Sequence, residues 1–149
     1  MKFITFIVGF VLLVPFFIYI QRNSLKVKLR KINKTRSRFT KDDFVIYFEA
    51  RGYDPEIAEI AYDEIMEWIV LKNFTLMPDD NLHLLCDFRD FDDMDFIHEA
   101  CSGLGYKMPD QHVLDELNEK YNEFTPEYLI DLLQNHASKH PLQPHSVVR

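Results

Sequence analysis

Aspartates crowd one short stretch of this 149-residue chain, and carboxylates at such density can bind calcium. The stretch contains Asp87, Asp90, Asp92, Asp93 and Asp95. A helix–loop–helix calcium site places ligands at loop positions 1, 3 and 5. A loop starting at Asp87 has Arg89 at position 3, and a loop starting at Asp90 has Met94 at position 5. We therefore predict no metal site and interpret the aspartates as a helix start, where they oppose the positive end of the helix dipole.

Histidine and cysteine residues provide the other candidates for chemistry. His98 and Glu99 begin an HExxH zinc motif, but residue 102 is serine rather than histidine. Cys86 and Cys101 do not form a CxxC pair, and no neighbour of Cys101 in the sequence would lower its thiol pKa. We predict two buried, reduced cysteines, no catalytic residue and no cofactor. An enzyme with a site assembled from distant residues stays an alternative.

The segments that contain these residues are predicted to be helices. Cap residues mark helix starts at Thr40, Asp54 and Thr125, and the second and third of these precede proline. A central helix is predicted to begin at Asp90 or Asp92 and to end at glycines 103 and 105. Its buried face is predicted to contain Phe91, Met94, Ile97, Cys101 and Leu104, which recur at three and four residues. The predicted fold class is all-α, a small helical bundle without strands, preceded by a single transmembrane helix.

The predicted transmembrane helix is the uncharged stretch of residues 3–20. Eighteen helical residues span about 27 Å, close to the thickness of the hydrocarbon core of a bilayer. No small residues mark a signal-peptide cleavage site, so we predict an uncleaved anchor with the lipid bilayer as its partner. Eight Lys or Arg residues follow the stretch between Arg22 and Arg38, which predicts a cytoplasmic C-terminal domain. The expected location is a bacterial inner membrane, in a single-pass orientation.

Charge divides the chain into two parts. Residues 1–41 hold ten of the 17 Lys and Arg residues and no acid, whereas residues 42–149 hold all 24 acids and a net charge of −17. So acidic a domain repels nucleic acid, and we predict no nucleic-acid partner. For the basic segment two interpretations stay open: a solvated linker, or a helix along anionic headgroups. The headgroup contacts would come from Arg22, Lys26, Lys28, Arg30 and Lys31.

The predicted organisation has four parts. Residues 1–21 are the transmembrane anchor, and residues 22–39 are the basic juxtamembrane segment. Residues 40–137 form the acidic α-helical domain. Residues 138–149, which include two prolines, are a predicted disordered tail.

Short motifs from residue 74 onward occur in a recognisable order. They are Pro-Asp-Asp-Asn-Leu at 78–82, Asp-Phe-Arg-Asp-Phe-Asp at 87–92, Lys-Met-Pro-Asp at 107–110 and Thr-Pro-Glu-Tyr-Leu-Ile-Asp-Leu-Leu at 125–133. In this order they resemble the loop, serine turn, Ile-Pro-Asp segment and last helix of the acyl carrier protein family. The chain is similar to bacterial carrier-like domains of unknown function.

This resemblance has implications for function. Carriers attach phosphopantetheine to the turn serine, and the matching residue here is Asp90, whose carboxylate cannot form that phosphodiester. The resemblance therefore implies a carrier scaffold without its prosthetic group. Because the acidic central helix of carriers docks on basic partner surfaces, it also implies an unknown protein partner. The implied contact residues are Asp90, Asp92, Asp93, Asp95 and Glu99.

The expected function is a membrane-anchored, non-catalytic adaptor that binds a basic partner surface. The alternatives are an immunity or antitoxin protein, and an acyl carrier modified at an unexpected site.

Overall fold

A computed structural model describes residues 2–86, 93–136 and 138–139, and the side chains of 19–86 and 94–136. The helices are α1 Lys2–Thr35, α2 Lys41–Glu49, α3 Pro55–Trp68, α4 Leu82–Leu85, α5 Asp93–Gly103, α6 Gln111–Lys120 and α7 Pro126–Asp131. A π-helical turn, Leu132–His136, continues α7. The strands are β1 Tyr106–Lys107 and β2 Ser138–Lys139.

Helices α2 and α3 pack against each other. The residues at their ends explain where each helix begins or stops. The Thr40 hydroxyl accepts a hydrogen bond from the Asp43 amide, and the Asp43 carboxylate accepts one from the Thr40 amide, which completes the predicted capping box. Gly52 lies in the turn after α2 with φ at 88°, a backbone conformation that favours glycine. Asp54 caps α3 ahead of Pro55. The predicted helix starts at Thr40 and Asp54 are confirmed.

The predicted fold class is wrong at the N-terminus. Across the described residues, none of the helices combines the length and the apolar character that crossing a bilayer requires. The apolar stretch is not a separate element, because α1 continues without interruption into the basic segment as one helix of 34 residues. Leu29, in the basic segment, is fully buried in the protein core.

The C-terminal end of α1 is attached to the segment between α3 and α4. The guanidinium of Arg36 forms a bidentate ion pair with the carboxylate of Asp80 and lies 4.6 Å from the ring centroid of Phe74. The amide side chain of Asn33 accepts a hydrogen bond of 2.7 Å from the Thr75 backbone and donates one of 3.0 Å to the Asn73 carbonyl. The packed core thus extends N-terminal of Thr40, where the sequence placed the start of the domain.

Helix α5 turns a different face to the core from the predicted one. Phe96 and Ala100 are fully buried, beside Ile97 and Cys101, which the sequence did place inside. Met94, predicted to be buried, is 39% exposed. Phe91 lies outside the described residues. The predicted and the observed apolar stripes both have helical spacing, so spacing alone does not distinguish them. The side chains that contact the Phe96 ring determine which stripe of α5 faces the core.

Those partners form a chain of aromatic rings, which we call the aromatic cluster: Trp68, Phe96, Phe124, Tyr128 and Tyr121. Phe96 lies 5.2 Å from Trp68 and 5.6 Å from Phe124 between ring centroids, both edge to face. This geometry is favourable because the ring edge is positive and the ring face negative. The cluster fixes α5 against α3 and against the segment that leads into α7.

A short antiparallel sheet corrects the all-α prediction. Tyr106 pairs with Lys139 and Lys107 with Ser138, so β2 connects the end of the π-helical turn to the segment after α5. Ser138 and Lys139 are the first two residues of the predicted tail, and residues 140–149 lie outside the described part. Two-residue strands have too few positions for the alternation that predicts a strand from sequence.

Candidate functional site

A groove of about 650 Å³ lies between α5, α6 and the segment 121–124. Its floor is formed by side chains that are at most 6% exposed: Ile97, Leu114, Phe124 and Tyr128. Its rim is mostly polar and includes Asn81, His83, Met94, Gln111, Asn118, Tyr121, Asn122 and Glu123. The groove thus combines an apolar floor with a polar rim in which four of the side chains are amides, those of Asn81, Gln111, Asn118 and Asn122.

Each wall of the groove is held by the local structure of its own element. Asn81 caps α4 by accepting a hydrogen bond from the His83 amide. The Leu82 amide donates a 2.8 Å hydrogen bond to the Phe124 carbonyl, which fixes the segment 121–124 against α4. Phe124 itself belongs to the aromatic cluster, so the floor of the groove and the orientation of α5 depend on the same contacts.

Of the predicted partner-binding residues, the structure describes those on α5: Asp93, Asp95 and Glu99. Asp95 and Glu99 are exposed, and their four-residue spacing puts them on the same side of the helix. Asp93 begins the helix, but its side chain is not described. Asp90 and Asp92 lie outside the described residues. Met94, which precedes Asp95 on α5, lines the groove, whereas Asp95 and Glu99 are not among its lining residues.

The cysteines are placed for packing rather than for nucleophilic chemistry. Burial raises the pKa of the Cys86 thiol to about 12 and that of Cys101 to about 11. Both thiols are therefore protonated at neutral pH, and the thiolate is the reactive form. Among the residues that the structure describes, no group of three or more His, Cys, Asp or Glu side chains could hold a metal ion.

Asp131 is a buried carboxylate that the sequence did not predict. It is 2% exposed and accepts hydrogen bonds from the Lys120 ammonium at 2.6 Å, the Tyr121 hydroxyl at 2.9 Å and the Asn135 amide at 2.6 Å. Burial alone would raise the pKa of Asp131, but the three donors outweigh it and hold that pKa below its usual value. The signal in the sequence was an aspartate within the apolar run 129–133.

The Asp131 network joins α6 to α7 and leads toward a second concavity. Burial, as the main cause, raises the pKa of Tyr121 to about 12, and burial together with a hydrogen bond to Tyr121 raises the pKa of Tyr53. Tyr53 lines a shallow depression of about 630 Å³ with Gly52, Tyr106 and Gln134 among its neighbours. The hydrogen bonds of Asp131 to Lys120 and Tyr121 hold α6 and the residue that follows it against α7.

The residues predicted to contact lipid headgroups lie on α1. Arg22, Lys28, Arg30 and Lys31 are exposed, and Lys26 is half-buried. The apolar stripe that a helix lying on a membrane would insert is Leu25, Leu29 and Ile32, and here it packs against the protein core. The segment is thus helical as far as Thr35 and is covered on its apolar side by the domain itself.

Comparisons with protein-family models, with curated proteins and with solved structures give no match to this chain. The resemblance to acyl carrier proteins therefore stays a prediction, and arguments about function depend on the surface of the molecule.

Proposed function

We propose that the protein is a non-catalytic interaction module that binds a basic segment of a protein partner. Its binding face consists of Met94, Asp95 and Glu99 on α5 together with the adjoining groove. The observation that carries the proposal is a groove with a buried apolar floor and the exposed Met94 at its edge, on the same helix that carries the exposed acids Asp95 and Glu99.

The groove supports apolar anchoring. Ile97, Leu114 and Phe124 provide a floor that is already organised in the absence of a partner, so binding does not require it to be assembled. Met94 at the edge has an unbranched, polarisable side chain that adapts to different apolar groups. The amide groups of Asn118 and Asn122 on the rim provide donors and acceptors for the backbone of a bound segment.

The acids support the choice of a basic partner. Asp95 and Glu99 belong to the part of the chain that has a net charge of −17, so a positively charged segment is attracted before contact is made. Complementary charge at the edge of an interface mainly accelerates association and excludes like-charged competitors. A partner segment with Lys or Arg flanking one or two apolar anchors fits both properties of the face.

The test compares two charge-reversal variants. Asp95→Lys/Glu99→Lys changes the binding face, and Asp42→Lys/Glu49→Lys makes the same net change on exposed positions of α2. After crosslinking in the source cells, the α5 variant is expected to recover its partner at a yield reduced about tenfold or more, because like charges then face each other. The α2 variant should recover it as the unchanged protein does. Equal recovery by both variants, or equal loss, would contradict the proposal.

A further inference from the structure

The outward side of α1 is a strongly basic surface. Leu25, Leu29 and Ile32 face the core, and exposed cations lie between and just after them: Lys28, Arg30, Lys31 and Lys34. We call these four residues the basic face. Arg36 does not belong to it, because its guanidinium turns inward to the carboxylate of Asp80. Since residues 1–41 contain no acid, no carboxylate within this helix offsets the charge.

Two exposed apolar side chains accompany the basic face. Ile20 is 48% exposed and Val27 is 44% exposed. They are seven residues apart, about two helical turns, so they lie on the same side of α1. Lys31 and Lys34 follow Val27 by four and seven residues and therefore share that side. Cations that alternate with single apolar side chains are typical of a surface that contacts the headgroup region of a membrane.

Charge is segregated between α1 and the rest of the molecule. All the acids lie in residues 42–149, so the attraction of a negatively charged lipid surface is directed to α1 rather than to the acidic remainder of the chain. A lipid surface is favoured over nucleic acid because Ile20 and Val27 gain from contact with the acyl boundary. Phosphates of nucleic acid are approached mostly by cations and polar donors.

We propose that the basic face of α1 is a peripheral docking surface for an anionic lipid membrane. The contact is electrostatic and lies along the helix, with Ile20 and Val27 as shallow apolar contacts. It is independent of the partner-binding face on α5, so either proposal can fail without the other.

Vesicle flotation of the full chain tests this proposal. At about 0.1 M salt, binding to phosphatidylcholine vesicles with about one third phosphatidylserine is expected to exceed binding to pure phosphatidylcholine about tenfold. The variant Lys28→Gln/Lys31→Gln/Lys34→Gln should lose most of that difference. The matched control Arg51→Gln/Lys72→Gln/Lys107→Gln removes the same charge from exposed positions elsewhere and should retain it.

Several outcomes would overturn the proposal. Equal binding to neutral and anionic vesicles would show that charge is not the determinant. An equal loss of vesicle binding in the α1 variant and in the control would show that binding depends only on the net charge of the protein. Release of the bound chain by duplex DNA would identify nucleic acid as the better ligand. Because glutamine keeps helix propensity close to that of lysine, circular dichroism should report unchanged helix content in the α1 variant.

Discussion

Replacing Phe96 with alanine is expected to lower the free energy of unfolding by about 3 to 5 kcal/mol. The ring is fully buried and makes edge-to-face contacts with Trp68 and Phe124 at centroid distances of 5.2 and 5.6 Å. The substitution removes apolar contact area and leaves a cavity. It also removes the ring that links Trp68 to Phe124 in the aromatic cluster. Chemical denaturation followed by circular dichroism measures the change.

Met94→Ala is the matched control for this substitution, because Met94 lies two residues away on the same helix and is 39% exposed. It is expected to cost less than about 1 kcal/mol, since little buried area is lost. If the two variants were equally stable, the orientation of α5 described above would be wrong, and the predicted face with Met94 inside would be restored.

Asp131→Ala is expected to destabilise the fold by about 3 kcal/mol or more. The carboxylate is 2% exposed and has three donors, from Lys120, Tyr121 and Asn135. Removing it takes the acceptor from the half-buried Tyr121 hydroxyl and from the Asn135 amide, and opens space between α6 and α7. Asp115→Ala is the control: Asp115 is exposed on α6 and should change stability by less than about 0.5 kcal/mol.

The pH dependence of the Asp131 contribution follows from its lowered pKa. In the unfolded chain the carboxyl titrates near pH 3.9. A folded pKa below that value means that the contribution is fully present above pH 3.9 or so and is lost as the pH falls through the folded pKa. The stability difference between the unchanged protein and Asp131→Asn should therefore be constant near neutrality and should shrink in acid. A difference that grew in acid would contradict the hydrogen-bonded carboxylate described here.

Local signals predicted the helix ends well. The caps at Thr40, Asp54 and Thr125 depend on residues within a few positions of each other, so the sequence contains the whole determinant. The apolar side chains of residues 74–85 were expected to pack across the helices: Phe74, Leu76, Leu82 and Leu85 are buried, whereas Leu84 is 54% exposed.

Features decided by distant contacts were not predicted. Helix α5 has two apolar stripes, and the choice between them depends on Trp68, 28 positions before Phe96. The basic part of α1 was interpreted as a linker or a headgroup helix because its partners, Phe74 and Asp80, lie about forty positions away. The burial of Asp131 was not predicted, because two of its hydrogen-bond donors, Lys120 and Tyr121, lie outside its own helix.

The candidate site was predicted only in part. Asp95 and Glu99 were identified as exposed acids of the central helix, and both are exposed there. The groove was not predicted, because its floor combines side chains of α5, α6 and α7 with Phe124 from the connecting segment. Met94 lines its edge, on the same helix as the predicted acids.

Site-specific photocrosslinking at position 94 tests the central claim most directly. A photoreactive phenylalanine derivative in place of Met94 would lie at the edge of the groove, and the same group in place of Ile46, which is 60% exposed on α2, serves as the control. Irradiation in the source cells is expected to give a discrete adduct with a protein partner from position 94 and none from position 46. An adduct from position 46 alone, or the same adducts from both positions, would contradict a binding face on α5.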